Sequence, residues 1–256
     1  MVPTMDELTF PANHLARVHA KAKGPTPFFT ETAKRLTDRL ADTTRTFTSI
    51  HNISTDNGAT TQILKHYQPS TITYQLLIAN LTLTTLSNPL ETLHNHLRNL
   101  QPDGLFLAST LGAESFREFR TSFHAAGISP HARTTPLPDV QECGILLQRL
   151  KLALPVIDRD IITLTFPTMK ALLSTLRAHA NHNWHPHRVQ GLLTPRQWAQ
   201  VCKAYQTLHT RPDGRIPLTL EVIYLHGWQP HATQPKALKP GQGKVSLVKI
   251  LTPAST

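Results

Sequence analysis

The segment Thr71 to Ala79 most limits what this chain can fold into. Ile72, Tyr74, Leu76, Leu77 and Ile78 make it almost continuously apolar. Such a run suits a strand covered on both faces, as in a parallel sheet. Leu105 to Ser109 is a second run of this kind. Helical patterns separate and follow them. Asn88-Pro89 opens a helix to Leu100, and Glu114 to Ala126 sets Phe116, Phe119, Phe123 and Ala126 on one face. Upstream, the β-branched stretch Thr46 to Ile53 reads as a strand. Gly58 to Tyr67 reads as the helix after it, ended before Pro69. Strand, helix, strand, helix, strand, helix implies a parallel sheet with crossover helices. Pro102-Asp103-Gly104 is expected to turn the chain into the third strand, with Gly104 taking a positive φ.

The flanks read differently. Thr30 to Arg45 is an amphipathic helix with Thr30 as its cap and Ala33, Leu36, Leu40 and Ala41 on one face. Asp139 caps a helix to Leu152, Ile157 to Phe166 is a strand, and Met169 to Ala180 is a helix. Thr194-Pro195 starts another helix, with Thr as cap and Pro at the first position. Trp198, Cys202, Tyr205 and Leu208 lie along one side of it. Asp213-Gly214 turns into a last strand, Ile216 to Leu225. The organisation expected is a helical extension over 1–45, an α/β domain over 46–230 and a basic, Pro- and Lys-rich tail over 231–256.

The 26 Lys and Arg against 16 Asp and Glu leave a net charge of +10 with His neutral. A field of this sign favours acidic partners, or simply keeps the protein soluble. Nothing resembles a zinc finger, a basic helical arm or an aromatic single-strand platform, so nucleic acid is not the partner expected. No apolar run approaches the roughly 20 residues that span a bilayer. Met1 to Phe10 has two acids and no apolar stretch of the secretory kind. With Cys143 and Cys202 both in helix-like segments, buried thiols in a reducing compartment are expected, which points to the cytoplasm. Cys143 falls on the face of Leu146 and Leu147 and reads as a core thiol. Asp158 and Asp160 lie two apart on a strand and share a face, which reads as solvated rather than catalytic. His179, His182, His185 and His187 surround Trp184, but no Cys or carboxylate accompanies them. A solvated histidine loop is therefore expected, and no metal.

Several stretches in a fixed order carry a resemblance: "FTETAKRLTDRL", "LQPDGLFLAST" with "LGAESFREFR", "LPDVQECGILLQRLKLALPVID", "DGRIPLTLEVIYLHGW" and "ALKPGQGK". In this order they resemble the class I S-adenosylmethionine-dependent methyltransferases. The closest branch holds the malonyl-carrier methyltransferases of biotin synthesis and the complex I assembly factor 5-like proteins. The fold this implies is a three-layer, Rossmann-like α/β core with a shortened, partly parallel sheet and added helices.

In that family the first strand ends in an Asp-x-Gly-x-Gly-x-Gly turn, whose bare backbone approaches the methionine end of S-adenosylmethionine. Aligned on Gly58, this chain has Asn52 for the acid, Ser54 for the first glycine and Asp56 for the second. An Asp56 side chain in the ligand's space would face the cofactor carboxylate. Repulsion in a partly dry cleft costs on the order of a few kcal/mol, or about a hundredfold in affinity. Only 22 positions separate Gly58 from Asn80, where the family places a further strand–helix–strand portion with the ribose-binding acid; Thr60 to Asn80 holds neither Asp nor Glu. Asn80-Leu81 keep the start of the family segment after its fourth strand, and the following His-Trp pair is lost. The remnant cofactor positions are thus Asn52, Ser54, Asp56, Gly58 and Asn80, and no catalytic residue is assigned. Arg177 matches a family arginine suited to a substrate carboxylate. Two functions follow from the resemblance. One is a non-catalytic or altered-function relative that binds a protein partner or a second copy at the new sheet edge. The other is a working methyltransferase acting on a small acid or carrier-bound substrate.

Overall fold

A computed structural model describes residues 27–86, 88–130, 133–134, 136–178 and 191–235. The first helix, α1 (Pro27–Ala41), buries Phe28, Phe29, Ala33, Leu36 and Leu40. Its described residues already include Pro27, so Thr30 lies inside it and is not its cap. Then come β1 (Ser49–Asn52), α2 (Ala59–Ile63), β2 (Gln68–Pro69) and β3 (Tyr74–Ala79). After a 3-10 turn at Leu83–Thr85 follow α3 (Pro89–Leu97), β4 (Leu100–Leu111) and α4 (Arg117–Ala125). The later elements are α5 (Val140–Arg149), β5 (Ala153–Phe166), α6 (Met169–Ala178), α7 (Pro195–His209) and β6 (Ile216–Trp228). Three of the caps that the sequence marks are formed, while Thr30 lies inside α1. Asn88 accepts from Glu91 N, and Asp139 with Glu142 and Thr194 with Gln197 each close a capping box.

The six strands make one sheet in the order β2-β1-β3-β4-β6-β5. β1, β2, β3 and β4 are mutually parallel, and β6 enters antiparallel between β4 and β5. Leu77, Ala79, Phe106 and Ala108 face one apolar cluster with α3 and α5. Leu76, Ile78, Leu105 and Leu107 face a larger one with α1, α4 and α7. Both central strands are therefore covered on both faces, as their unbroken apolar runs require. The expected α/β fold with a shortened, partly parallel sheet is what the structure has.

The shortening sits between β1 and β3. There the chain forms only the five-residue α2 and the two-residue β2. β2 pairs Ser49 and Ile50, and its Pro69 has no N–H to offer outward. The helix expected over Gly58 to Tyr67 ends at Ile63, since the chain must turn back within a few residues to lay Gln68 beside β1.

Three local expectations change. Pro102-Asp103-Gly104 is not a turn before a strand; it is a bulge inside β4, where the pairing shifts between Tyr74–Leu100 and Leu76–Leu105. The positive φ belongs to Asp103, at 62°. Gly104 is needed for closeness instead: a Cβ there would lie 2.8 Å from Gln101 O and 2.9 Å from Gln75 O. Leu208 is 53% exposed, and the buried face of α7 is Val201 and Tyr205. Phe119 and Phe123 are core, while Phe116 caps α4 with a left-handed backbone, φ 62°.

Because two of the three nearest atoms, Gln101 O and Gln75 O, are backbone atoms that cannot step aside, Gly104→Ala is expected to destabilise the fold by about 2 kcal/mol. Urea denaturation of the variant beside the parent chain measures this.

Candidate functional site

The carboxyl ends of β1, β3 and β4 converge on one buried polar network. In an open α/β sheet this is the end where ligands bind. Asn52, the last residue of β1, bends the chain into the turn: its Oδ1 accepts from Ser54 N at 3.0 Å and its Nδ2 donates to Thr61 Oγ1 at 3.0 Å. The turn is then sewn to β3. Ile53 N donates to Ile78 O at 2.9 Å, Thr55 N to Asn80 O at 3.2 Å, and Asn80 N to Ser54 Oγ at 2.8 Å. Asn57 and Gly58 both take left-handed φ, 52° and 87°, which lets the turn close onto α2.

Asp56 corrects an expectation. Its side chain does not enter the ligand's space but turns inward and is 1% exposed. The reason is a ready set of donors. Asp56 Oδ2 accepts from Thr60 N at 2.9 Å, from Thr60 Oγ1, and from Asn80 Nδ2 at 2.8 Å. The first of these donors is one of the unpaired N–H groups at the start of α2. Asp56 Oδ1 is buried with no hydrogen-bond partner. Asn80, fully buried, also donates to Thr32 Oγ1 of α1 at 3.3 Å and accepts from Ser109 Oγ of β4 at 2.6 Å.

Five of the sequence-derived positions, Asn52, Ser54, Asp56, Gly58 and Asn80, thus come together. Thr32, Thr60 and Ser109 join them unforeseen. Only Ser109 carried a signal, as a hydroxyl ending an apolar strand. Arg177 lies on α6, and its side chain is outside the described residues, as is the loop His179 to His187. Three cavities bounded by described residues, of about 760, 360 and 450 Å³, open elsewhere and are not lined by these five positions.

Outside the network, Asp158 stays exposed, its side chain at 58%, while Asp160 is half-buried, and both are ion-paired. Arg39 bonds both and Arg35 bonds Asp160 at 3.2 Å, tying β5 to α1. The Arg39 hydrogen bond holds the Asp158 carboxyl below its ordinary range. Arg39 also lies 3.6 Å over the ring of Tyr224. Cys143 is fully buried, and burial pushes its thiol up to about 12, so it is a core residue as expected. Among the described residues no group of three or more His, Cys, Asp or Glu could hold a metal ion. None of the helices described is long and apolar enough to cross a membrane.

No family model matches the chain. Curated proteins do. A malonyl-[acyl-carrier protein] O-methyltransferase of Laribacter hongkongensis is 35% identical over 164 residues, covering 64% of this chain and 54% of that protein. Another, of Gallionella capsiferriformans, is 35% identical over 133 residues, covering 52% of this chain and 44% of that protein. The mitochondrial arginine-hydroxylase NDUFAF5 of Dictyostelium discoideum is 30% identical over 176 residues, covering 66% and 40%.

This chain is a homologue of that class I methyltransferase branch. It spans about half the length of the curated relatives it matches. The resemblance read from the segment order is borne out, and the homology makes this a methyltransferase-like protein. The compression between β1 and β3 lies beside the turn that would meet a methyl donor in this family.

A second polar contact flanks the shortened edge. His51 Nε2 and His96 Nδ1 are 3.2 Å apart, and His51 stacks on Tyr74 with ring centroids at 4.8 Å. Burial lowers the pKa of both imidazoles, and for His51 the charge on His96 lowers it further. A histidine with a lowered folded pKa binds protons more readily unfolded, so its contribution is full above the unfolded value of about 6.5 and is lost as pH falls below it. Stability is therefore expected to drop between pH 7.5 and 5.5. Urea midpoints at the two pH values measure this, and His96→Asn should shrink the difference.

Proposed function

We propose that this methyltransferase-like protein has an eroded S-adenosylmethionine site and acts through a protein partner rather than by methyl transfer. The inward Asp56 carboxylate carries this reading. Where the resembling enzymes offer a glycine backbone to the donor's methionine end, this turn has side chains at Ser54 and Asp56. Both are engaged with Asn80, and Asp56 also holds Thr60. Opening the turn to a ligand would break bonds to a buried carboxylate, which are among the stronger hydrogen bonds in proteins. The ribose contact has no candidate either, because Thr60 to Asn80 contains no acid. Both losses bear on the same ligand.

Calorimetry with S-adenosylmethionine and S-adenosylhomocysteine is expected to show no binding heat. Micromolar affinity would instead support an active methyltransferase on a small acid or carrier-bound substrate, with Arg177 as the carboxylate contact. The double variant Ser54→Gly, Asp56→Gly separates the two losses. Should it gain binding, the turn is the defect; should it remain silent, the shortened sheet is.

The partner belongs at the shortened edge, where β2 covers β1 only as far as Ile50. A second copy or a different subunit with an acidic surface would suit the +10 charge. Sedimentation velocity is expected to show a dimer, or a complex when the partner is present. A monomer that co-purifies with nothing would count against it.

A further inference from the structure

The sheet has a second edge, at β5, across from the shortened one. β5 is 14 residues long and among the described residues pairs only with β6. Which of its backbone groups face outward can be read from β6. Thr219 O accepts from Phe116 N and Glu221 O from Gly112 N, each at 2.9 Å. Thr219 N donates to Glu118 Oε1 at 3.1 Å, and Glu221 N to Ser115 Oγ at 2.9 Å. Thr219 and Glu221 thus spend their backbone groups on the β4 side, and the alternating Leu218, Leu220 and Val222 face β5. Their register partners are Leu164, Ile162 and Asp160. Arg159, Ile161, Thr163 and Thr165 therefore aim N–H and C=O away from the sheet.

Two of these outward groups are taken by the chain itself. Arg159 N donates to Asp158 Oδ1 at 2.8 Å, and Thr165 O accepts from Arg215 Nη2 at 2.7 Å. Open among the described residues are Arg159 O, both groups of Ile161 and of Thr163, and Thr165 N. This set is self-complementary. Turned antiparallel about Ile162, it places Ile161 opposite the copy's Thr163 and Arg159 opposite the copy's Thr165. Each open N–H then meets an open C=O, and the two groups already bonded fall opposite one another. No like charges meet, since Asp158 comes opposite Phe166 and Asp160 opposite Leu164. From Ile161 to Phe166 the strand carries no charge and is rich in β-branched residues, and Ile161 is 48% exposed. A long, uncharged edge of this kind is a template for pairing.

We propose that a second copy of this chain adds its β5 antiparallel to β5, centred on Ile162, so that the two sheets continue into one. The pairing leaves the shortened edge free for a different subunit. It does not depend on whether the turn at Asp56 binds a methyl donor.

Thr163→Pro tests this on the full chain. The lost N–H points outward, so the ladder to β6 keeps its bonds. Sedimentation equilibrium is expected to show a dimer for the parent chain. In the variant the dimer dissociation constant should rise by about tenfold or more, at an unchanged urea midpoint. Should the midpoint fall, Thr163→Lys, which keeps the N–H and sets a charge beside the copy's Ile161, replaces it with the same expectation. Disulfide formation reads the register. Residues opposite one another in a hydrogen-bonded pair have Cα atoms about 5.5 Å apart, within disulfide reach. An equal mixture of Ile161→Cys and Thr163→Cys chains should therefore cross-link several-fold more than either variant alone. A monomeric parent chain would overturn the proposal. So would a dimer that is indifferent to these substitutions and does not cross-link, which would assign the second copy to another surface, the shortened edge included.

Discussion

Asn80 is the residue on which the arrangement of this protein depends. It is fully buried at the end of β3 and reaches Asp56 of the turn, Thr32 of α1 and Ser109 of β4. A buried amide left without partners costs more than a bonded one returns, so each neighbour is held in one orientation. Through this side chain the turn after β1, the covering helix and the two central strands are registered against one another. The same contacts draw the Asp56 carboxylate inward. The inward turn of Asp56 and the cohesion of the sheet's carboxyl end therefore share one side chain, Asn80.

Charge is distributed on the same principle. Asp158 and Asp160 face Arg35 and Arg39, and Asp103 faces Arg45. Glu118 accepts from Thr219 N at 3.1 Å and Glu221 from Glu114 N at 2.9 Å, both carboxylates being buried. These acids are thus tied by ion pairs and hydrogen bonds, while the net +10 remains that of the plain count. The homology and the compressed β1–β3 connection both belong to a methyltransferase-like body.

Much of the fold was legible along the chain because its signals are local. The runs at Thr71–Ala79 and Leu105–Ser109 announce strands covered on both faces, whatever lies around them. Asn88, Asp139 and Thr194 announce helix starts because the groups they cap are two or three residues away. Legibility failed where the deciding neighbour is distant. Pro102-Asp103-Gly104 has turn chemistry, yet it is a bulge where the pairing of β4 with β3 shifts register. The ion pairs of Asp158 and Asp160 were not announced, because their arginines come from α1, more than 100 residues earlier.

Residue order by itself determined the α/β class, the shortened span between Gly58 and Asn80, and the absence of the glycines at Ser54 and Asp56. Those are matters of pattern and spacing, which need no third dimension. Only the tertiary structure decided which way Asp56 points. A carboxylate on a short turn can face the ligand side or the interior. The choice falls to donors, and the one that seals it, Asn80, stands 24 residues away on another strand. The sequence therefore marks this turn as altered, while the packing turns its carboxylate inward.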